Sequence, residues 1–328
     1  MVHKDDIYMQ TYLPFYSASY TQKYLLKAYQ KQNLSDAAQY SFSNCYPFIS
    51  YVENGLLYLK QASMTPDQIK PLLLYYGLTH LLKACVLIFD PNYPETTAVL
   101  AHGVSTRKKK KQQYEFLMDE VKIQRNGLFT HLTSKMFHMK PAEEKHSMIT
   151  LLKEIPELST LFTRMKGQTS HLTVSFQEGA FHIGQEVLDH YHMTLERFLQ
   201  HAEGKWQLPI DYERVAGEDK LLKIGLRESF TNERRTRLPF RYDCRSDMYT
   251  LSLQKDETCQ QLPDLLVMYL LLYNLSMIAR YEIDWWTELF KEMGHHDLPF
   301  IKGLMEVAEF KIPLLIRDWM KDKEGDFY

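Results

Sequence analysis

Apolar positions recur along this chain with two periods, and the helical one dominates. In "SYTQKYLLKAYQKQ", Tyr24, Leu25 and Ala28 share a face, with Ser19 and Thr21 as candidate caps. In "PFISYVENGLLYLKQA", Phe48, Val52, Leu56 and Leu59 keep the same spacing. "TPDQIKPLLLYYGLTHLLKACVLIFDP" predicts a helix capped by Thr65 and kinked or restarted at Pro71. Beyond Pro71 it is apolar nearly all round, so it should run through the centre of the fold. Three C-terminal stretches, "PDLLVMYLLLYNLSMIARYEIDWWTELFKEM", "DLPFIKGLMEVAEFK" and "IPLLIRDWMKD", return to helical spacing. Arg280 and Tyr281 should end one of these helices and Asp284 cap the next.

The shorter period is confined to a few places. Leu172, Val174 and Phe176 alternate with polar residues in "HLTVSFQ", and "RLPFRYDCRSDMYTLSL" also reads as strand. Val121, Ile123 and Arg125 alternate ahead of Asn126-Gly127, which predicts a β-hairpin over 120–132. "GQEVLDHYHMTLERFLQHAEG" predicts an amphipathic helix closed by Gly204. The expected fold is therefore mainly α, a helical bundle with a small antiparallel β element. A seam of Gly, Pro and mixed charge at "GKWQLPIDYERVAGEDK" suggests lobes 1–204 and 205–328, or one continuous domain.

Composition narrows the function classes. The chain has 328 residues, 45% apolar and 24% charged, with a net charge of −2, so no global field draws it to nucleic acid or membrane. Cys45, Cys85, Cys244 and Cys259 are too far apart for a zinc ribbon or redox pair. The start "MVHKDDIYMQTY" does not read as a signal peptide, and the long apolar runs read as buried helices. A cytoplasmic protein with no membrane segment is expected.

Candidate chemistry lies in local clusters. His80 and Lys83 sit one turn apart in an otherwise apolar helix, and His102 follows a short apolar run. Such groups are either braces or the wall of a pocket. Arg107, Lys108, Lys109, Lys110 and Lys111 form a cationic run, a phosphate contact or a solvated loop. Arg234, Arg235, Arg237, Arg241 and Arg245 suit a bidentate anion site, or pairing with neighbours such as Glu228, Glu233 and Asp243. His182, Glu186 and His190 are spaced for one helix face, but one solvent-facing stripe supplies too few ligands, so no metal and no cofactor is expected.

The words "YGLTHLLKACVLIFDPNYPE", "LAHGVSTRKKKKQ", "DEVKIQRNGLFTHL", "LSMIARYEIDWWTELF" and "KIPLLIRDWM" together resemble the YaaC-like proteins over most of the chain. That resemblance carries no reaction. It implies a link to inosine monophosphate dehydrogenase, whose gene tends to lie beside those of the family, and so to purine nucleotides. "YGLTHLLKA" followed by "AHG" resembles the HEPN helical domains more loosely. Some of those are ribonucleases that space a catalytic Arg and His as Arg125 and His131 are spaced. In the expected hairpin those two would stand ~10 Å apart, far for one shared phosphate.

The leading expectation is a non-enzymatic binding or regulatory protein. It would engage an anionic partner, whether nucleotide, RNA or acidic protein surface, alone or as a homodimer. The alternatives are a metal-independent ribonuclease using Arg125 and His131, and a structural subunit of a larger enzyme assembly.

Overall fold

The computed structural model describes residues 10–106, 114–140, 144–177, 180–206, 221–225, 238–254, 257–291 and 296–324. The fold is mainly α with two small antiparallel sheets, as the dominant helical spacing predicts. The chain divides into two compact units, and the second interrupts the first: 1–149 joins 265–328, while 150–264 stands by itself. The seam after 204 thus falls inside the second unit rather than at its edge.

The first unit is built around three long helices, α1 (Ala18–Lys31), α2 (Ala37–Met64) and α3 (Lys70–Phe89). Ser17 caps α1 by accepting from Tyr20 N at 3.4 Å, in place of the expected Ser19 or Thr21. Thr65 ends α2 rather than starting α3, its hydroxyl donating to the Gln61 carbonyl at 2.7 Å. Pro71 lies in the first turn of α3, where a missing N–H costs no helical bond, so it restarts the helix without kinking it. From there α3 is buried on nearly all sides: Leu74, Tyr75, Leu78, Leu81, Leu82 and Cys85 are inaccessible. Each such leucine contributes ~1.5–3 kcal/mol by leaving water. By length and composition α3 could cross a membrane, yet 67% of that span is buried inside the protein. Gly55 of α2 and Gly77 of α3 let these helices approach closely. A Cβ added at either would come 3.2 Å from the other's carbonyl oxygen and closer still to Leu81 or Leu59.

After α3 come β1 (Val104–Thr106), β2 (Glu120–Ile123), the one-turn α4 (Leu128–His131) and β3 (Lys145–Ser147). The strands form a three-stranded sheet in the order β1-β2-β3, pairing Val104 with Ile123 and Glu120 with Ser147. No hairpin turns at Asn126-Gly127: the chain bends there into α4 and runs on through a π-helical turn, Leu132–Met136. Gly127 has φ +129 and packs against Gly103, itself at φ +76. An added Cβ on Gly127 would lie 2.3 Å from the Gly103 Cα and backbone N. The dipeptide therefore serves a backbone-to-backbone contact, not a strand reversal.

The second unit carries α5 (Ser159–Lys166), β4 (His171–Gln177), β5 (Ala180–Gly184), α6 (Glu186–Tyr191), α7 (Leu195–Trp206), β6 (Leu221–Gly225), β7 (Phe240–Asp243) and β8 (Met248–Ser252). Its five-stranded antiparallel sheet runs β6-β5-β4-β8-β7. The alternation at 171–177 and 240–252 forms strands as expected. The single helix expected from 184 to 204 is broken at His192, which adopts φ +52. Val174, Phe181, Ile183, Val187, Tyr191, Phe198, Phe240 and Leu251 form the core of this unit.

The first unit closes with α8 (Asp264–Tyr281), α9 (Ile283–Lys291) and α10 (Asp297–Glu324), which joins two expected helices through Pro313. Asp284 lies in the first turn of α9.

Gly127→Ala is expected to cost ~3 kcal/mol or more, because the Cβ meets backbone that cannot rotate away. The exposed Asn126→Ala should stay within ~0.5 kcal/mol. Urea denaturation of both variants checks this, and a mild Gly127→Ala would contradict the close contact.

Candidate functional site

Three helical stripes and one loop meet in the first unit. Tyr76, His80 and Lys83 lie at i, i+4 and i+7 on α3, which puts them on one face. Tyr51 and Tyr58 are two turns apart on α2, and Tyr273 and Arg280 two turns apart on α8. His102 comes from the segment between α3 and β1. The His80 ring stacks on Tyr58 with centroids 5.4 Å apart and planes 9° apart, and lies 5.9 Å from Tyr51. Lys83 Nζ sits 5.8 Å from the centre of the Tyr51 ring. Tyr58 meets Tyr76 at 5.9 Å, and Arg280 Nη1 donates to the Tyr76 hydroxyl at 3.5 Å. Tyr75 shares a 2.8 Å hydrogen bond with His102 Nδ1 and donates to the Tyr269 hydroxyl at 3.0 Å. The imidazole of His102 packs 5.5 Å from Tyr273. These contacts run unbroken from Lys83 through the tyrosines to Arg280. Tyr51, Tyr58, Tyr76, His80, Lys83, His102 and Arg280 are all half-buried.

The electrostatics are lopsided. Among the described residues, neither Lys83 nor Arg280 forms an ion pair. Lys83 has only the Tyr51 ring, and Arg280 has the Ser276 carbonyl, the Met277 sulfur, the Tyr76 hydroxyl and the Tyr281 ring. Burial holds the Lys83 ammonium below its ordinary pKa. Burial and the Lys83 charge do the same to His80, and burial with Arg280 and Lys83 to His102, so both imidazoles are held toward the neutral form. His80 Nδ1 is buried with no hydrogen-bond partner among the described residues. Two fixed cations, two poised imidazoles and several phenols can receive negative charge and donate hydrogen bonds to it.

The backbone of His102 is fixed from several directions. Its carbonyl accepts from Tyr269 Oη at 2.9 Å and from Phe129 N at 3.2 Å, while Leu128 N donates to Ala101 O at 2.8 Å and Gln124 N to Gly103 O at 2.9 Å. The Gly103–Gly127 approach makes these bonds sterically accessible, so the Asn-Gly motif acts by positioning His102.

The residues expected from sequence divide accordingly. His80, Lys83 and His102 do converge. Arg280, read only as the end of a helix, joins them; its two-turn spacing from Tyr273 was the available signal. Arg125 is exposed in the bend before α4. His131, on α4, lies with Nε2 2.9 Å from Asp90, between the rings of Phe89 and Tyr93; that contact holds the Asp90 carboxyl below its usual range. Arg107, Lys108, Lys109, Lys110, Lys111, Arg234, Arg235 and Arg237 lie outside the described residues. Arg245 is exposed in the turn after β7, its backbone N–H bonded to Asp243 at 2.8 Å. His182 is on a strand and His190 on α6, so the expected one-face stripe with Glu186 does not exist.

Arg241 overturns its expected role. It is fully buried, and its guanidinium is taken up by the protein's own carboxylates: Glu154 at 2.8 Å and Asp264, with the Leu262 carbonyl at 3.0 Å. Glu154 also accepts from Ser252 at 3.1 Å and from Gln254 at 2.9 Å. Burial opposes the Arg241 charge, but the two carboxylates outweigh it and raise its pKa; burial raises that of Glu154 against the pull of Arg241. The site is a brace of the second unit, and its acids are distant in sequence rather than local.

Arg241→Met is expected to cost ~3–5 kcal/mol at neutral pH, because two buried carboxylates lose their counter-charge. Without the arginine both folded-state carboxyl pKa values rise, so the folded variant binds more protons than the unfolded chain. The deficit against wild type should therefore shrink as pH falls from 7 toward 5. Chemical denaturation across that range reads the difference, and a deficit that grows on acidification would contradict the brace.

No curated protein matches this chain, and no solved structure does. A family model described as YaaC-like protein matches residues 13–320, nearly the whole length. The matched span contains two of the segments that build the cluster, "YGLTHLLKACVLIF" and "LSMIARYEIDWW". The chain belongs to the YaaC-like family.

Proposed function

We propose that this protein is a cytoplasmic binding or regulatory protein, not an enzyme, and that it lodges an anionic partner against Lys83 and Arg280. One observation carries the reading: two half-buried cations and two histidines gather with no carboxylate paired to either cation among the described residues. The brace at Arg241 illustrates how this chain treats a buried cation when the role is structural, surrounding it with acids and carbonyls. An uncompensated pair costs stability, and such costs concentrate where a ligand supplies what is missing. A ribonuclease using Arg125 and His131 draws less support, since Asp90 already engages His131 Nε2 and Arg125 stands exposed.

Lys83→Met should stabilise the ligand-free protein by ~0.5–2 kcal/mol, since it removes a half-buried charge that has no counter-ion among the described residues. It should also abolish the gain in Tm on adding phosphate. For wild type that gain corresponds to ~2.7 kcal/mol at a hundred times the Kd. If the lysine were only a cation–π brace, the variant would instead lose stability and keep its phosphate response.

The histidines fix the sign of the pH dependence. Both sit below the ordinary histidine pKa in the free protein, so the folded chain binds fewer protons than the unfolded one near that value, and its own stability falls on acidification. A bound anion raises both, so binding takes up protons and tightens as pH drops. Calorimetry in two buffers of different ionisation heat measures the uptake; proton release would contradict the assignment.

A further inference from the structure

We infer that the ligand of this cluster is a small phosphate monoester carrying a flat ring, the chemistry of a nucleoside monophosphate. The inference rests on the anion reading above and adds three observations to it. The first is charge. Lys83 and Arg280 supply two positive charges; a phosphate monoester brings about −1.5 to −2 at neutral pH and matches them. A single carboxylate would leave one cation unmatched.

The second is shape. Lys83 and Arg280 are half-buried at the two ends of one run of aromatic contacts, and are not strung along an exposed track. A nucleic-acid chain is held by a row of solvent-facing cations following its backbone. The cluster suits a compact dianion instead.

The third is the aromatic ledge between the two cations. Tyr58 and His80 lie nearly parallel, Tyr76 is tilted 34° from Tyr58, and Tyr51 is tilted 40° from His80. All four side chains are half-buried, so part of each stays open to solvent. Flat heterocycles stack on such faces whatever their identity. His80 Nδ1 is buried in this ledge with no hydrogen-bond partner among the described residues. Nothing covalent is required: the ring stacks, the phosphate displaces water from Lys83, Arg280 adds its charge from the far end of the ledge, and one or both imidazoles take a proton.

The test titrates the full-length protein, by calorimetry at fixed ionic strength, with inorganic phosphate, ribose 5-phosphate, adenosine, the four common nucleoside monophosphates and a ten-nucleotide oligoadenylate. At least one monophosphate should bind tenfold or more tighter than ribose 5-phosphate, with adenosine weaker than either. Tyr58→Leu should remove that tenfold advantage and leave the ribose 5-phosphate affinity unchanged, Tyr58→Phe should restore it, and Lys83→Met should abolish binding of all the phosphates. Equal binding of ribose 5-phosphate and every monophosphate overturns the ring while leaving the anion reading intact. Oligoadenylate binding tenfold tighter than any monophosphate overturns the small-ligand class. Failure of every probe, inorganic phosphate included, overturns both this inference and the anion reading beneath it.

Discussion

A helix buried on nearly every side gives its few polar side chains little access to water, and the first unit is organised by that constraint on α3. Its leucines are satisfied by packing alone. Its tyrosine, histidine and lysine are not, because a buried polar group without a partner costs free energy that packing cannot return. Tyr75 is relieved by His102 and Tyr269, which requires the segment after α3 to come back and be fastened beside the helix. The fastening is the backbone contact of Gly103 with Gly127. Among the described residues, Lys83 is given only an aromatic face.

The tyrosine–histidine cluster of the first unit and the Arg241 brace of the second handle interior charge in opposite ways. In the second, one guanidinium is surrounded by two carboxylates and backbone carbonyls, and Glu154 accepts in turn from Ser252 and Gln254, so the group specifies a single arrangement of loop and sheet. In the first, cations share a space with phenols and imidazoles, and the field they make falls on His102 and His80. A fully compensated network rigidifies; a positive, partly dry cluster remains responsive to whatever carries the missing charge.

What the sequence disclosed follows from the range of each signal. The helices of the first unit were legible because an apolar stripe repeats over many turns, and strand 171–177 because its alternation is long. His80, Lys83 and His102 stood out because polar residues interrupt apolar surroundings, a contrast visible locally. Asn126-Gly127 misled because a local turn signal carries no information about Gly103, the glycine it packs against. The run from 184 broke where His192 accepted a left-handed conformation that histidine tolerates better than bulky residues do. Arg241 misled because its acids stand 87 and 23 positions away. Arg280 passed unnoticed since a basic residue in the last turn of a helix is already explained by the helix dipole.

The interruption of one unit by the other has a consequence for synthesis. Helices α1 to α3 leave the ribosome early, but α8 and α10, which complete their unit, emerge only after the whole of 150–264 has been made. Chains grow at about 5–20 residues per second, and segments that can fold alone do so as they appear. For that interval α3, the most apolar helix of its unit, waits for part of its cover. The newborn chain therefore exposes a greasy, aggregation-prone surface for several seconds, and holdase chaperones would have their opportunity during that wait.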